Sequence, residues 1–127
     1  MTVLRRYEFS VEVRVRYVAE QSDPQLPVHF FAYTIQVRNS GTEAARLLSR
    51  HWVISDGNGR TEEVRGSGVV GEQPHLAPGE VFEYTSACPL PTPCGTMRGS
   101  YHCLADDGTP FEVPIAEFLL SLPSVLH

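Results

Sequence analysis

The sequence predicts an all-β fold: an immunoglobulin-like antiparallel sandwich of about seven strands in two sheets. Three observations carry this expectation. Apolar residues recur with period two in several stretches, and no stretch shows a helical period. Turn signals rich in Gly, Asn, Asp and Pro separate those stretches at short intervals. The 127 residues match about one domain and contain no repeat, so a single domain over residues 1–127 is expected. No Cys…Trp…Cys pattern is present, so the sandwich should lack an inter-sheet disulfide.

The first strand reads from the alternation of Phe9, Val11, Val13, Val15 and Tyr17 with Ser10, Glu12, Arg14 and Arg16. That pattern buries one face and wets the other. A polar stretch at 20–25, with Asp23 and Pro24, ends it. A second strand over 29–38 carries Phe31, Tyr33, Ile35 and Val37 on one face, and Asn39-Ser40-Gly41-Thr42 turns the chain. A third, over 45–55, holds Trp52. Its adjacent Leu47 and Leu48 suggest a bulge.

Asp56-Gly57-Asn58-Gly59 is a strong hairpin signal, because Gly and Asn tolerate positive φ. A short polar strand at 60–65 follows. Residues 66–79 then read as a long loop closed by Pro78-Gly79. A fifth strand spans 80–87. Pro89, Pro91 and Pro93 mark 88–95 as a connection. A sixth strand spans 96–105, and Asp106-Asp107-Gly108-Thr109 is a second hairpin turn. The seventh runs over 111–115 toward Phe118, Leu119 and Leu120.

Composition excludes several classes. A net charge of −5 argues against a broad basic face, so no nucleic acid is expected as partner. No apolar run reaches membrane-spanning length, and Met1 to Glu8 contains no apolar signal core. No membrane insertion and a cytoplasmic location are therefore expected. All ten basic residues are Arg. Their scatter over several strands fits coding bias better than a designed anion site. Cys88, Cys94 and Cys103 are odd in number and lack metal-site spacing, so they read as free thiols.

One motif stands out. Gly66-Ser67-Gly68-Val69-Val70-Gly71 matches G-x-G-x-x-G. A dinucleotide site needs a buried strand before this loop and a helix after it. Here a charged strand precedes it, and Pro74 follows Gly71 within three residues, so that reading fails. Two readings remain. One is a structural loop whose glycines supply unusual backbone angles. The other is a backbone nest that holds an anion or nucleotide on Gly66, Gly68 and Gly71, with Arg65 and Arg60 nearby.

Other candidates are weaker. His29, His51, His75 and His102 lack metal-ligand spacing. His51 and His102 lie far apart and could meet only through the fold, and His127 is terminal. Glu62 and Glu63 should point to opposite faces. Asp106 and Asp107 read as turn chemistry. No Ser or Cys sits in a nucleophile signature, so no catalytic residue, metal or cofactor is expected.

A set of ordered segments resembles the ApaG family: Phe31-Ala32-Tyr33-Thr34-Ile35, residues 50–60, residues 66–74, and Leu76-Ala77-Pro78-Gly79-Glu80. Tyr84-Thr85-Ser86, residues 95–101 and Asp107-Gly108-Thr109-Pro110-Phe111 continue it, so the resemblance runs from about Val11 to the C-terminus. It implies a fibronectin type III-like sandwich and a link to cobalt resistance and magnesium efflux. It also implies a non-enzymatic protein-interaction module with a protein partner still to be identified. For Gly66, Gly68 and Gly71 it implies a second use, binding a nucleotide, a pyrophosphate or another phosphate-containing small molecule. Edge strands would further allow a homodimer.

Overall fold

Alternation of apolar and polar residues gives the first strand, β1 (Phe9–Tyr17), which pairs antiparallel with β2 (His29–Asn39). The structure is a computed structural model and describes residues 5–22, 25 and 28–122. Met1, Asp23, Pro24 and His127 lie outside the described residues. Among the described residues between the two strands is a 3-10 turn, Ala19–Gln21. Asn39 then carries the chain to the other sheet. It is 1% exposed, yet its amide donates to the carbonyls of Glu43 and Leu76 and its Oδ1 accepts from Gly41 N–H. A buried amide this well satisfied fixes the crossing, because leaving it unpaired would cost ~1–3 kcal/mol.

The remaining strands are β3 (Ala45–Asp56), β4 (Thr61–Ser67), β5 (His75–Leu76), β6 (Val81–Leu90), β7 (Cys94–Ala105) and β8 (Pro110–Ser121). They form a three-stranded sheet, β1-β2-β6, over a five-stranded sheet, β4-β3-β7-β8, in which β5 also pairs with β3. Among the described residues eight strands thus stand where about seven are expected.

The differences have local causes. The pairing of β6 continues through Pro89, which faces Phe30, so the expected connection at 88–95 shrinks to residues 91–93. Proline is tolerated there because β6 is an edge strand. Pro110 and Pro114 sit in β8, the opposite sheet's edge, for the same reason. The register of β3 against β7 shifts between Leu47 and Ser49, as the adjacent leucines suggest.

Between the sheets lie Phe31, Ile35, Val37, Leu47, Met97, Tyr101 and Leu120, all at most 1% exposed. Trp52 meets Tyr33, Tyr101 and Phe118 edge-on, with ring centroids 5.7–6.3 Å apart. The phenolic oxygens of Tyr84 and Tyr101 share a buried hydrogen bond. Both turn predictions hold. Asp56 Oδ1 accepts from Asn58 and Arg60 N–H, and Asp107 Oδ1 accepts from Thr109 N–H.

Candidate functional site

The glycine motif interrupts an edge. Strand β4 pairs with β3 from Ser55 back to Ser49, and β5 pairs with the next part of β3, Arg46 and Ala45. Residues 68–74 are therefore an excursion from one discontinuous edge strand, placed opposite the β3 bulge. The bulge residue explains the placement: the Leu48 carbonyl accepts from Gly68 N–H at 2.7 Å and from the Gln73 side-chain amide at 2.9 Å. Gly66 and Ser67, expected in a loop, belong to β4.

Each motif glycine answers a separate local demand. The Arg50 guanidinium lies over Gly66, where a Cβ would come within 2.8 Å of it. Gly68 has φ +61°, and a Cβ there would lie 2.2 Å from the Glu72 carbonyl oxygen. Val69 and Glu72 exchange both backbone hydrogen bonds, leaving Val70 (φ 43°) and Gly71 (φ 81°) as the two turn residues. Two successive positive φ values are those of a type I′ turn, which favours Asn or Gly at both places. Val70 is the one non-glycine residue with positive φ among the described residues, and it is 52% exposed. Beside it, Val69 is fully buried and anchors the turn to the core.

Arg50 and Arg46, near the motif, each spend Nη1 on backbone carbonyls. Arg50 Nη1 donates to the carbonyls of Ser67 and Gly68 at 3.0 and 2.8 Å. Arg46 Nη1 donates to the Gln73 carbonyl at 2.7 Å. The amides of Gly68, Val69 and Glu72 are likewise bonded within the protein. Arg65 follows the sequence expectation, adjoining Gly66 in β4. Arg60 does not: it sits at the β3–β4 hairpin, six residues and roughly 20 Å of extended strand away. There it lines a separate cleft with Ile54, Glu62, Pro89 and Leu90.

On the outer face of the five-stranded sheet, register brings together residues remote in sequence. Ser49 lies opposite both Ser67 and His102, and His51 opposite both Arg65 and Ser100. The small serines leave a depression of about 400 Å³, walled by Arg50, His51, Arg65, Gly66 and His102. His51 Nε2 is buried without a hydrogen-bond partner. Glu63 Oε1 lies 3.7 Å from it, too far for a hydrogen bond.

The other candidates hold structural positions. His75 Nε2 lies 2.9 Å from Asp106, and His29 Nδ1 3.3 Å from the Tyr17 hydroxyl. The Tyr7 hydroxyl donates to Asp107, and that bond holds the Asp107 carboxyl below its ordinary pKa. Glu62 and Glu63 face opposite ways, opposite Ile54 and Val53. Among the described residues no three His, Cys, Asp or Glu side chains converge on a metal-sized site. All three cysteines are free. Burial pushes the Cys88 thiol up to about 11 and the Cys103 thiol up to about 12.

Sequence reasoning missed Arg50, Gln73 and the serines of the depression. The adjacent leucines at 47 and 48 were the one signal available, since the bulge they mark is what Gly68 and Gln73 bind.

Comparison with known proteins agrees with this architecture. The ApaG domain pattern matches residues 19–105. Protein ApaG of Bordetella pertussis is 60% identical over 124 residues, covering 98% of this chain and 95% of that protein. Protein ApaG of Methylococcus capsulatus is 55% identical over 121 residues, covering 95% and 96%. The crystal structure of a putative ApaA protein from Bordetella pertussis superposes with a TM-score of 0.94 at 59% identity, over 97% of this chain and all of that one. The C-terminal domain of Wzt, 12% identical with a TM-score of 0.54 over 96% of this chain and 77% of its own, shares the fold alone.

Proposed function

The chain belongs to the ApaG family, and from that premise we propose that it acts in the cytoplasm as a non-enzymatic protein-interaction module, in the setting of cobalt and magnesium homeostasis that the resemblance implies. Val70 carries this reading. A β-branched residue in the left-handed region stores strain of about 1–2 kcal/mol. It is held there by a buried neighbour, two arginine–carbonyl bonds and the Gln73 amide, and it presents an apolar side chain to solvent. Rigid exposure of an apolar group suits a contact point on a partner, since little ordering remains to be done on binding. Among the described residues no helix is long and apolar enough to cross a membrane.

The test is capture from the native host, with and without magnesium or cobalt stress, using wild type and Val70→Asn. Recovery of one partner by wild type and its loss with Val70→Asn supports the reading. Equal recovery by both removes Val70 from it, and no specific partner under any condition removes the module itself.

A second reading seats a nucleotide or pyrophosphate on the turn of Gly66, Gly68 and Gly71. Arg46 favours it, lining a cleft with Ser67, Gly68, Gly71, Glu72 and Gln73, and so does Arg65 beside Gly66. Titration with pyrophosphate and ATP should move the amide resonances of residues 66–71. No movement at millimolar ligand sinks this reading.

A further inference from the structure

We infer that the outer face of the five-stranded sheet carries an oxyanion site, separate from the glycine turn, formed by Arg65, His51 and His102 around Ser49 and Ser67, and suited to a phosphate or sulfate group. The outer side of a sheet is ordinarily covered evenly by its side chains. Here two facing serines, Ser49 and Ser67, leave a hollow between longer neighbours. What surrounds the hollow is rich in donors: the arginines Arg50 and Arg65, two imidazoles and two hydroxyls, with Gly66 of the motif completing the wall.

The state of those donors separates this place from the turn. Around the turn, Arg46 and Arg50 spend donors on backbone carbonyls at 2.7–3.0 Å. In the hollow, Arg65 Nη2 stands 3.8 Å from Glu63, and His51 Nε2 3.7 Å from it. Both are beyond hydrogen-bond range, so Glu63 takes no hydrogen bond from Arg65, while His51 Nε2 is left buried and unpartnered beside the hollow. Arg65 keeps its planar fork for a tetrahedral oxyanion, which it binds bidentately. Glu63 from β4 and Glu112, opposite His102 on β8, are the nearby acids. They repel an anion and so limit affinity. The hollow exceeds a bare phosphate in size, so a phosphorylated or sulfated small molecule fits the chemistry.

The experiment is titration of the full chain with inorganic phosphate and with sulfate, at constant ionic strength set by chloride. Amide and imidazole resonances are followed by NMR. The inference expects saturable shifts centred on residues 49–51, 65–67 and 102. Arg65→Gln should weaken binding roughly five- to tenfold, the loss of about one charge-assisted contact. The double change His51→Gln with His102→Gln should weaken it as well, while Arg14→Gln, on the opposite sheet, leaves it unchanged. Shifts that do not saturate, that chloride alone reproduces, or that survive Arg65→Gln overturn the site. Shifts centred on Val70 and Gly71 overturn it too, and favour the turn instead.

Discussion

Replacing Val70 with Asn should stabilise the protein, although it removes an apolar side chain. Val70 sits at φ 43° as the first of the two central residues of its turn. Relief of left-handed strain at a β-branched residue is worth about 1.5 kcal/mol. Against this stands the lost burial. Val70 is 52% exposed, so roughly half a valine's transfer free energy is at stake, and Asn keeps part of that with its own Cβ; the loss is about 0.5 kcal/mol. The balance is a gain of about 1 kcal/mol. For 127 residues the unfolding entropy is about 0.27 kcal/mol/K, so Tm should rise by roughly 4 °C. Circular dichroism melts and urea midpoints both read this. Val70→Ile keeps the β-branch and should give no gain. Val70→Gly should gain less than Asn, because glycine also loosens the unfolded chain. A Tm at or below wild type for Val70→Asn would refute the strain argument and, with it, the physical basis for treating Val70 as a retained contact residue.

Three further outcomes are expected. Gly68→Ala should cost several times more stability than Gly71→Ala, about 3 kcal/mol or more against about 1, because both have positive φ but only Gly68 also meets a carbonyl oxygen; equal urea midpoints for the two variants would contradict this. Under native conditions a thiol reagent should modify Cys94 quickly and reach the buried Cys88 and Cys103 only on unfolding, so a spectrophotometric count of three fast thiols would be the wrong result. Stability should also fall at alkaline pH. Burial raises the folded-state pKa of Tyr33, Tyr84, Tyr101, Cys88 and Cys103, so the unfolded chain loses these protons first. Their stabilising effect is complete below the unfolded thiol and phenol values and is lost as pH climbs through about 9 to 12. Urea midpoints measured from neutrality upward should decline across that window, and a flat profile there would count against the buried hydroxyl and thiol placement.

The strands and hairpins were legible because each rests on local chemistry. The alternation of Phe9 to Tyr17 and the positive-φ residues of the Asp56 and Asp106 turns act over a few neighbours. Proline was legible only in part. It limits a strand's open side, and whether Pro89 and Pro114 face that side depends on sheet order, which no short window contains. The site was less legible still. His51 and His102 stand 51 positions apart and share one hollow because Ser49 pairs with His102 through a register reset at Leu48. Slipping that register by one residue would turn these side chains toward the core. Arg60 failed for the opposite reason: it is near the motif in sequence, but an extended strand carries it away.

The glycine motif is the clearest case of a pattern whose meaning depends on its fold. In a loop before a helix, three spaced glycines let backbone approach a pyrophosphate. In this chain the same spacing meets three packing demands: space for Arg50 over Gly66, an approach of Gly68 to the Glu72 carbonyl, and the second left-handed place of the turn at Gly71. Val70, which no glycine motif requires, is the member left without a structural reason. If the glycines serve the turn, then Gly71→Ala should lower stability without altering phosphate binding in the serine hollow, and Arg65→Gln should do the reverse. That crossed pattern separates a motif that builds the surface from the residues that use it. A ligand response lost with Gly71→Ala and kept with Arg65→Gln would return the anion chemistry to the turn.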